Sequence, residues 1–202
     1  MSNVNHFLYH ALKALQEITE NAIKQEQVEK AGKTIQTCAI TAAATGVGAA
    51  ILPGGGGFVL AAAAITAVWV MYVKINKDLG ISISDNKLKS LASAILSNII
   101  TNAGSLLLAF VATAIFNFIP GLNVLIAPAQ ALIAYIAVFT AGILYIKLLT
   151  KAFKAKGKFD FDEDNIKQEA SDIVNETDMK SLIEDIKESY DKDKVEREKN
   201  SK

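Results

Sequence analysis

Apolar residues Leu8, Ala11, Leu12, Leu15, Ile18, Ala22 and Ile23 recur at three- and four-residue spacing near the start of the chain, with Glu and Lys between them. That period predicts an amphipathic helix over residues 3 to about 33. Then the pattern changes. Two apolar arms, Thr34 to Leu52 and Phe58 to Val73, flank a turn made of Pro53, Gly54, Gly55, Gly56 and Gly57. A charged connector, Lys74 to Lys89, leads to two more, Ser90 to Ile119 and Leu122 to Ile146, around Pro120 and Gly121. From Phe159 onward, amphipathic spacing returns and predicts one or two exposed helices ending in a frayed tail. The expected units are an N-terminal amphipathic helix (1–33), an apolar hairpin domain (34–152) and a charged helical tail (153–202).

Charge sharpens this picture. The 202-residue chain balances 21 basic against 21 acidic side chains, yet residues 34–73 and 90–146 contain none in 40 and 57 positions. Soluble domains, about a quarter charged, rarely leave such gaps. Runs like these are expected of membrane-embedded helices. The expected fold class is therefore all-α: about four apolar helices in membrane-embedded hairpins, with amphipathic cytoplasmic helices at both ends. A bilayer core needs about 20 helical residues. The first arm has 19 and the second only 16, so the first hairpin either spans or is re-entrant.

Lysines give the orientation. The connector carries Lys74, Lys77, Lys87 and Lys89 against Asp78 and Asp85, and lysines follow the fourth arm at 147, 151, 154, 156 and 158. Both turns are uncharged, so the positive-inside rule puts both termini and the connector in the cytoplasm. Tyr72 with Lys74, and Tyr145 with Lys147 and Lys151, fit a membrane interface, the phenol at headgroup level and the ammonium reaching outward. The shared Tyr-x-Lys endings hint at a repeated hairpin. Each lysine near an anionic leaflet would contribute about 1 kcal/mol of attraction. The first 30 residues lack a cleavable apolar core, so no secretory signal is expected.

Chemistry-bearing motifs are sparse. Gly32-Lys33-Thr34 ends like a phosphate-binding loop, but position 27 is Gln where glycine is needed. No Lys-Ser/Thr follows Gly54 to Gly57, which leaves a turn or hinge. His6 and His10, four apart, share a helix face within reach of a metal, without a third ligand in sight. Asp160, Asp162 and Asp164 open like a calcium loop that then fails at Asn165 and Ser171. Cys38 is the only cysteine, so it can form no disulfide within the chain. No catalytic constellation is legible and no cofactor is expected; the single arginine, Arg197, argues against nucleic acid. Ser93, Ser97, Thr101 and Ser105 form a polar stripe that either meets water and other helices or lines a small path. No ionisable group lies inside the arms, which argues against ion-coupled transport.

Several stretches resemble a bacterial family of unknown function associated with GTPases, the YcjF-like membrane proteins. They are LPGGGGFVLAAAAITAVWVMYVKINKDLGISIS (52–84), LASAIL (91–96), FNFIPGLN (116–123) and ALIAYIAVFTAGILYIKLL (131–149). The resemblance covers roughly half the chain and implies the membrane-associated helical module alone, with any GTPase a separate partner. It implies a multi-pass protein of the bacterial inner (cytoplasmic) membrane and supplies no catalytic residues.

The expected role is a non-enzymatic anchor or scaffold that binds the lipid bilayer and recruits a protein partner. The apolar faces at Leu8, Leu12, Leu15 and Ile18 and at Ile183 and Ile186 are the candidate partner-binding surfaces. Burial against the chain's own helices is the alternative. Small residues such as Gly46, Gly48, Ala63 and Ala67 allow close helix contact, which opens a second reading as a pore-forming or membrane-remodelling homo-oligomer. A soluble bundle that buries the arms in its own core is the third.

Overall fold

A segment with no charge from Ala131 to Ile146 must be surrounded by something, and in this chain other helices surround it. The computed structural model describes residues 5–20, 22–50, 56–116 and 126–200; side chains are described for these residues except those at 46–64, 103, 105–130 and 195–200. Among the described residues there are seven α-helices and no strand: α1 (His6–Ile18), α2 (Gln25–Ala50), α3 (Gly56–Leu79), α4 (Asp85–Phe116), α5 (Ile126–Lys156), α6 (Ile166–Asn175) and α7 (Met179–Asn200). Helix α5 is the axis, touching all six others, with its most extensive packing against α2. From Ala131 to Ile146 every side chain but Ile133 is buried. A helix that is apolar all round is stable only when covered all round.

Local chemistry sets the helix ends. The Asn5 side chain accepts from the Leu8 amide at 3.1 Å and caps α1. Helix α1 stops at Thr19, whose hydroxyl donates to the Leu15 carbonyl at 3.0 Å, and Glu20 takes a positive φ of 48°. The continuous helix expected over residues 3–33 is therefore two helices. In turn, α2 runs unbroken past position 33, where the sequence suggested a domain edge, because Val28, Ala31, Ile35, Ala39 and Ala42 keep one apolar stripe facing the core. Helix α3 extends to Leu79 and α4 begins at Asp85, so the expected 74–89 connector is helical at both ends. Between them, Gly80 at φ 70° donates to the Lys77 carbonyl, and the Ile81 amide reaches Asn76 at 2.8 Å. That pair of bonds is a Schellman ending, which glycine makes without a Cβ penalty. Gly157 ends α5 in the same left-handed conformation (φ 66°), with its amide bonded to the Phe153 carbonyl at 2.7 Å.

The expected turn residues Pro53, Gly54, Gly55, Pro120 and Gly121 lie outside the described residues. Gly56 and Gly57 are the first two residues of α3 and not part of a turn. The N–H groups of a first helical turn have no intrahelical acceptor, so starting on glycine forfeits no ladder bond.

At Gly142 the α5 backbone packs tightly against α2 and α3. A Cβ there would lie 2.7 and 2.9 Å from the Ile35 side chain and 3.2 Å from the Met71 sulfur. Ile35 and Met71 are fully buried and Ile35 is β-branched, so neither can swing away. Gly142→Ala is therefore expected to destabilise the protein by about 1–3 kcal/mol, the usual range for overpacking, read as a lower midpoint in chemical denaturation. A midpoint equal to that of the parent protein would mean the two helices are not seated as described.

Candidate functional site

Three clusters deserve the word site. The first lies inside the bundle. Tyr72 of α3 and Tyr145 of α5 are fully buried and stack with centroids 4.0 Å apart and planes 15° from parallel. The Tyr145 hydroxyl donates to Asn76 Oδ1 at 2.6 Å, and the Tyr72 hydroxyl donates to the Ala141 carbonyl at 3.1 Å. Partners four residues apart on each helix, matched in the same order, show that α3 and α5 run parallel here. The tyrosines expected at a membrane interface thus face neither lipid nor water but each other. The phenols find hydrogen bonds inside, as buried tyrosines require. Asn76 Nδ2 and Thr140 Oγ1, both buried, find no partner.

The second is a cleft of about 670 Å³ walled by α1, α2, α5 and α7, with Leu8, Leu12, Val28 and Phe139 among its apolar lining. Polar contacts bind its walls together. Asn5 Nδ2 donates to Ser189 Oγ at 3.1 Å, and the Phe7 amide to Asp185 Oδ2 at 3.4 Å. Asp193 accepts from Gln36 Nε2 at 2.9 Å and from the Tyr135 hydroxyl at 2.7 Å. Tyr190 packs edge-on to Tyr135 at 5.0 Å. A carboxylate of α7 therefore sits against residues of the first and fourth apolar arms, a contact no periodicity could announce.

The third is a clasp of lysines and acids. Lys87 and Lys158 pair with Asp160 at 3.0 and 3.3 Å, Lys151 with Glu176 at 2.6 Å, and Lys156 with Glu169 at 3.9 Å. Lys147 donates to Thr177 Oγ1 at 3.1 Å. The hydrogen bond from Lys87, aided by Lys158, holds the Asp160 carboxyl below its usual range. Burial pushes the Glu169 carboxyl up, against the pull of Lys156, and Glu169 Oε2 has no hydrogen-bond partner. Of the lysines expected at an interface, Lys151 is thus committed to the chain's own acid and Lys147 to its own Thr177; Lys74 is exposed beside the shallow groove at Thr37 and Cys38.

The remaining expected residues fall into place one by one. Leu8, Leu12, Leu15, Ile183 and Ile186 belong to the protein's own core, and Ile18 is half-buried. Their stripes are covered from within, the alternative that the sequence left open beside a partner-binding face. On α4, Ser93, Ser97 and Thr101 are exposed on the outer face and line no interior path; Ser105 lies outside the described side chains. Gly32, Lys33 and Thr34 sit within α2, where Thr34 Oγ1 donates to Asp78 Oδ2 at 2.7 Å, so no phosphate loop exists there. Among the described residues no group of three or more His, Cys, Asp or Glu side chains gathers as a metal site. His6 and His10 do meet, with Nε2 atoms 3.0 Å apart on the exposed face of α1.

One described helix, at Ala131–Lys156, is long and apolar enough to cross a membrane, and 89% of its apolar window is buried inside the bundle. Comparison with family models, curated proteins and solved structures gives no match.

Two outcomes test these clusters. Tyr145→Phe leaves both polar atoms of Asn76 unpaired in the core and is expected to cost about 1–3 kcal/mol; Tyr72→Phe leaves a carbonyl that still serves the α5 ladder and should cost less, about 1 kcal/mol. Equal losses in urea titrations would contradict that ranking. Asp160, with its lowered pKa, adds stability that is present above the unfolded carboxyl pKa and lost as pH falls through the folded one. Asp160→Asn should therefore melt below the parent near pH 7 and converge with it in acid; a gap that persists at low pH would show that charge is not the cause.

Proposed function

We propose that this protein is a non-enzymatic membrane anchor, attached through the ends of its two helical hairpins and presenting its charged end as a cytoplasmic platform. The observation that carries this reading is the one-sided placement of charge. Helices α2 to α5 pass through 97 residues without an Asp, Glu, Lys or Arg, while the charged residues occupy α1, α6, α7 and the helix ends beside them. Ile65 and Ile100, 43% and 59% exposed on α3 and α4, add apolar surface toward the hairpin ends. A charge-free end on an otherwise charged bundle suits a bilayer better than water.

On this reading, the contact of Asp193 with Gln36 and Tyr135 limits the depth of insertion. Helix α2 continues 14 residues past Gln36 to Ala50, and α5 begins nine residues before Tyr135. At about 1.5 Å per residue the hairpin ends extend about 14–21 Å beyond that carboxylate, against about 30 Å of hydrocarbon. With α7 docked, the hairpins enter one leaflet; four full spans, with both termini still on the cytoplasmic side, require α7 to leave. The resemblance to the GTPase-associated bacterial membrane family adds a partner to this reading: a separate GTPase held at the inner membrane by the charged platform.

A soluble bundle is the second reading, favoured by the burial of α5. Vesicle flotation separates the two. Trp69, the only tryptophan, lies half-buried on α3 under Lys89 at 4.7 Å and reports from within the protein. The anchor is expected to float with anionic vesicles, to lose that binding with Ile65→Asp plus Ile100→Asp, and to show Trp69 quenching by brominated acyl chains. Protein that stays at the bottom of the gradient in every lipid mixture, and is released by alkaline carbonate, overturns the anchor. Dye leakage from the same vesicles would favour the pore-forming reading instead.

A further inference from the structure

We propose that His6 and His10 form a two-imidazole site for a divalent late transition metal of the copper(II) and nickel(II) class. The two rings occupy successive turns of α1 on its exposed face, and their Nε2 atoms face each other at 3.0 Å, with centroids 4.3 Å apart and planes at 64°. Asn5 caps the helix that carries them, and this cap is tied to Ser189 of α7, so the backbone beneath the pair is held from two sides. Phe7 packs against the His6 ring at 5.7 Å and Tyr9 against the His10 ring at 5.4 Å, each edge-on.

The separation says which ions fit. With metal–nitrogen bonds of about 2.0–2.1 Å, two nitrogens 3.0 Å apart subtend about 94° at the ion. That is a cis pair of a square-planar or octahedral ion; a tetrahedral site would spread the nitrogens to about 3.3 Å. Copper(II), which stands highest among divalent first-row ions for nitrogen ligands, and nickel(II) prefer the tetragonal arrangement. An ion between the rings takes the Nε2 lone pair of each, so both imidazoles coordinate as the neutral Nδ1–H tautomer, and the ring that donates in the present contact moves its proton from Nε2 to Nδ1 through solvent. Water fills the remaining positions, since among the described residues no third His, Cys, Asp or Glu joins the pair. The positive end of the helix dipole opposes any cation here, so the two metal–nitrogen bonds must outweigh it.

The test uses the untagged, full-length protein with its amino terminus acetylated, so that the terminal amine cannot act as a ligand. Copper(II) chloride titrated by calorimetry should bind one equivalent, with an axial paramagnetic resonance spectrum showing two coupled nitrogens. His10→Ala should weaken binding at least tenfold, and His6→Ala plus His10→Ala should abolish the two-nitrogen spectrum while leaving the helical circular dichroism unchanged. The affinity should fall as the medium is acidified, because protons compete for the same lone pairs. If the double variant binds copper as tightly as the parent, or the parent shows no two-nitrogen signal, the site does not exist and the 3.0 Å contact is only an imidazole hydrogen bond.

Discussion

The structure depends on the seating of α5 against α2 and α3. Between Ala131 and Ile146 this helix offers no charge and only two hydroxyl-bearing tyrosines and a threonine, so each turn must find apolar cover. Gly142 allows Ile35 and Met71 to lie directly on its backbone, and the ring stack of Tyr72 on Tyr145 fixes the register between α3 and α5. A stack with two outward-directed hydrogen bonds discriminates against a one-turn slide. Sliding α3 by four residues would separate the rings and leave both phenols without acceptors in a region that has few others. Apolar packing supplies most of the stabilisation; the tyrosine pair selects which packing occurs.

That seating determines where the remaining helices go. The outer surface of α5 near Tyr135 is closed by α1 and by the second half of α7, which is almost entirely polar beyond Ile186. Asn5 to Ser189, Asp185 to Phe7 and Asp193 to Gln36 and Tyr135 are polar bonds made beside an apolar helix. The end of α7 therefore rests on directional contacts that water can replace, whereas its beginning is anchored by Leu182, Ile183 and Ile186. The two halves of α7 differ in kind, and the distal half is the part whose departure costs less buried area.

Helical class and the amphipathic faces were legible because each has a period that burial imposes. Other features were not. The break at Thr19 and Glu20 carries neither glycine nor proline, and Ile23 falls back onto the stripe, so periodicity runs straight across it. The parallel endings Tyr72-Val73-Lys74 and Tyr145-Ile146-Lys147 were visible, but their meaning was inverted. Tyrosine beside lysine fits an interface and equally fits a buried ring next to a solvated helix end; only the packing of α3 beside α5 distinguishes them. The His6 and His10 spacing was readable as one shared face, while the 3.0 Å separation depends on rotamers that spacing leaves free. The partners of Asp193 lie 157 and 58 residues away, beyond the reach of any local pattern.

Charge placement also takes on a different meaning once the clasp is considered. Lysines after the fourth arm were read as free to meet an anionic leaflet, yet Lys151, Lys156 and Lys158 each face an acid of the segment from Asp160 to Glu176, and Lys87 joins them from α4. Exposed pairs of this kind contribute little stability individually, so their effect is mainly on the field: positive charge that would reach toward a surface is compensated within a few ångströms. Beneath them, Phe161, Ile166, Ala170, Ile173 and Val174 bury the apolar side of the same segment against the core. Because that hydrophobic contact holds the acids in place, the compensation persists where salt would dissolve the ion pairs alone. Of the lysines outside the clasp, Lys89 lies over the Trp69 ring at 4.7 Å, while Lys74 stands on the α2 side beside Thr37 and Cys38. The cations left outside the clasp are therefore divided between two faces of α3, so the positive field at this end is spread out rather than gathered on one side.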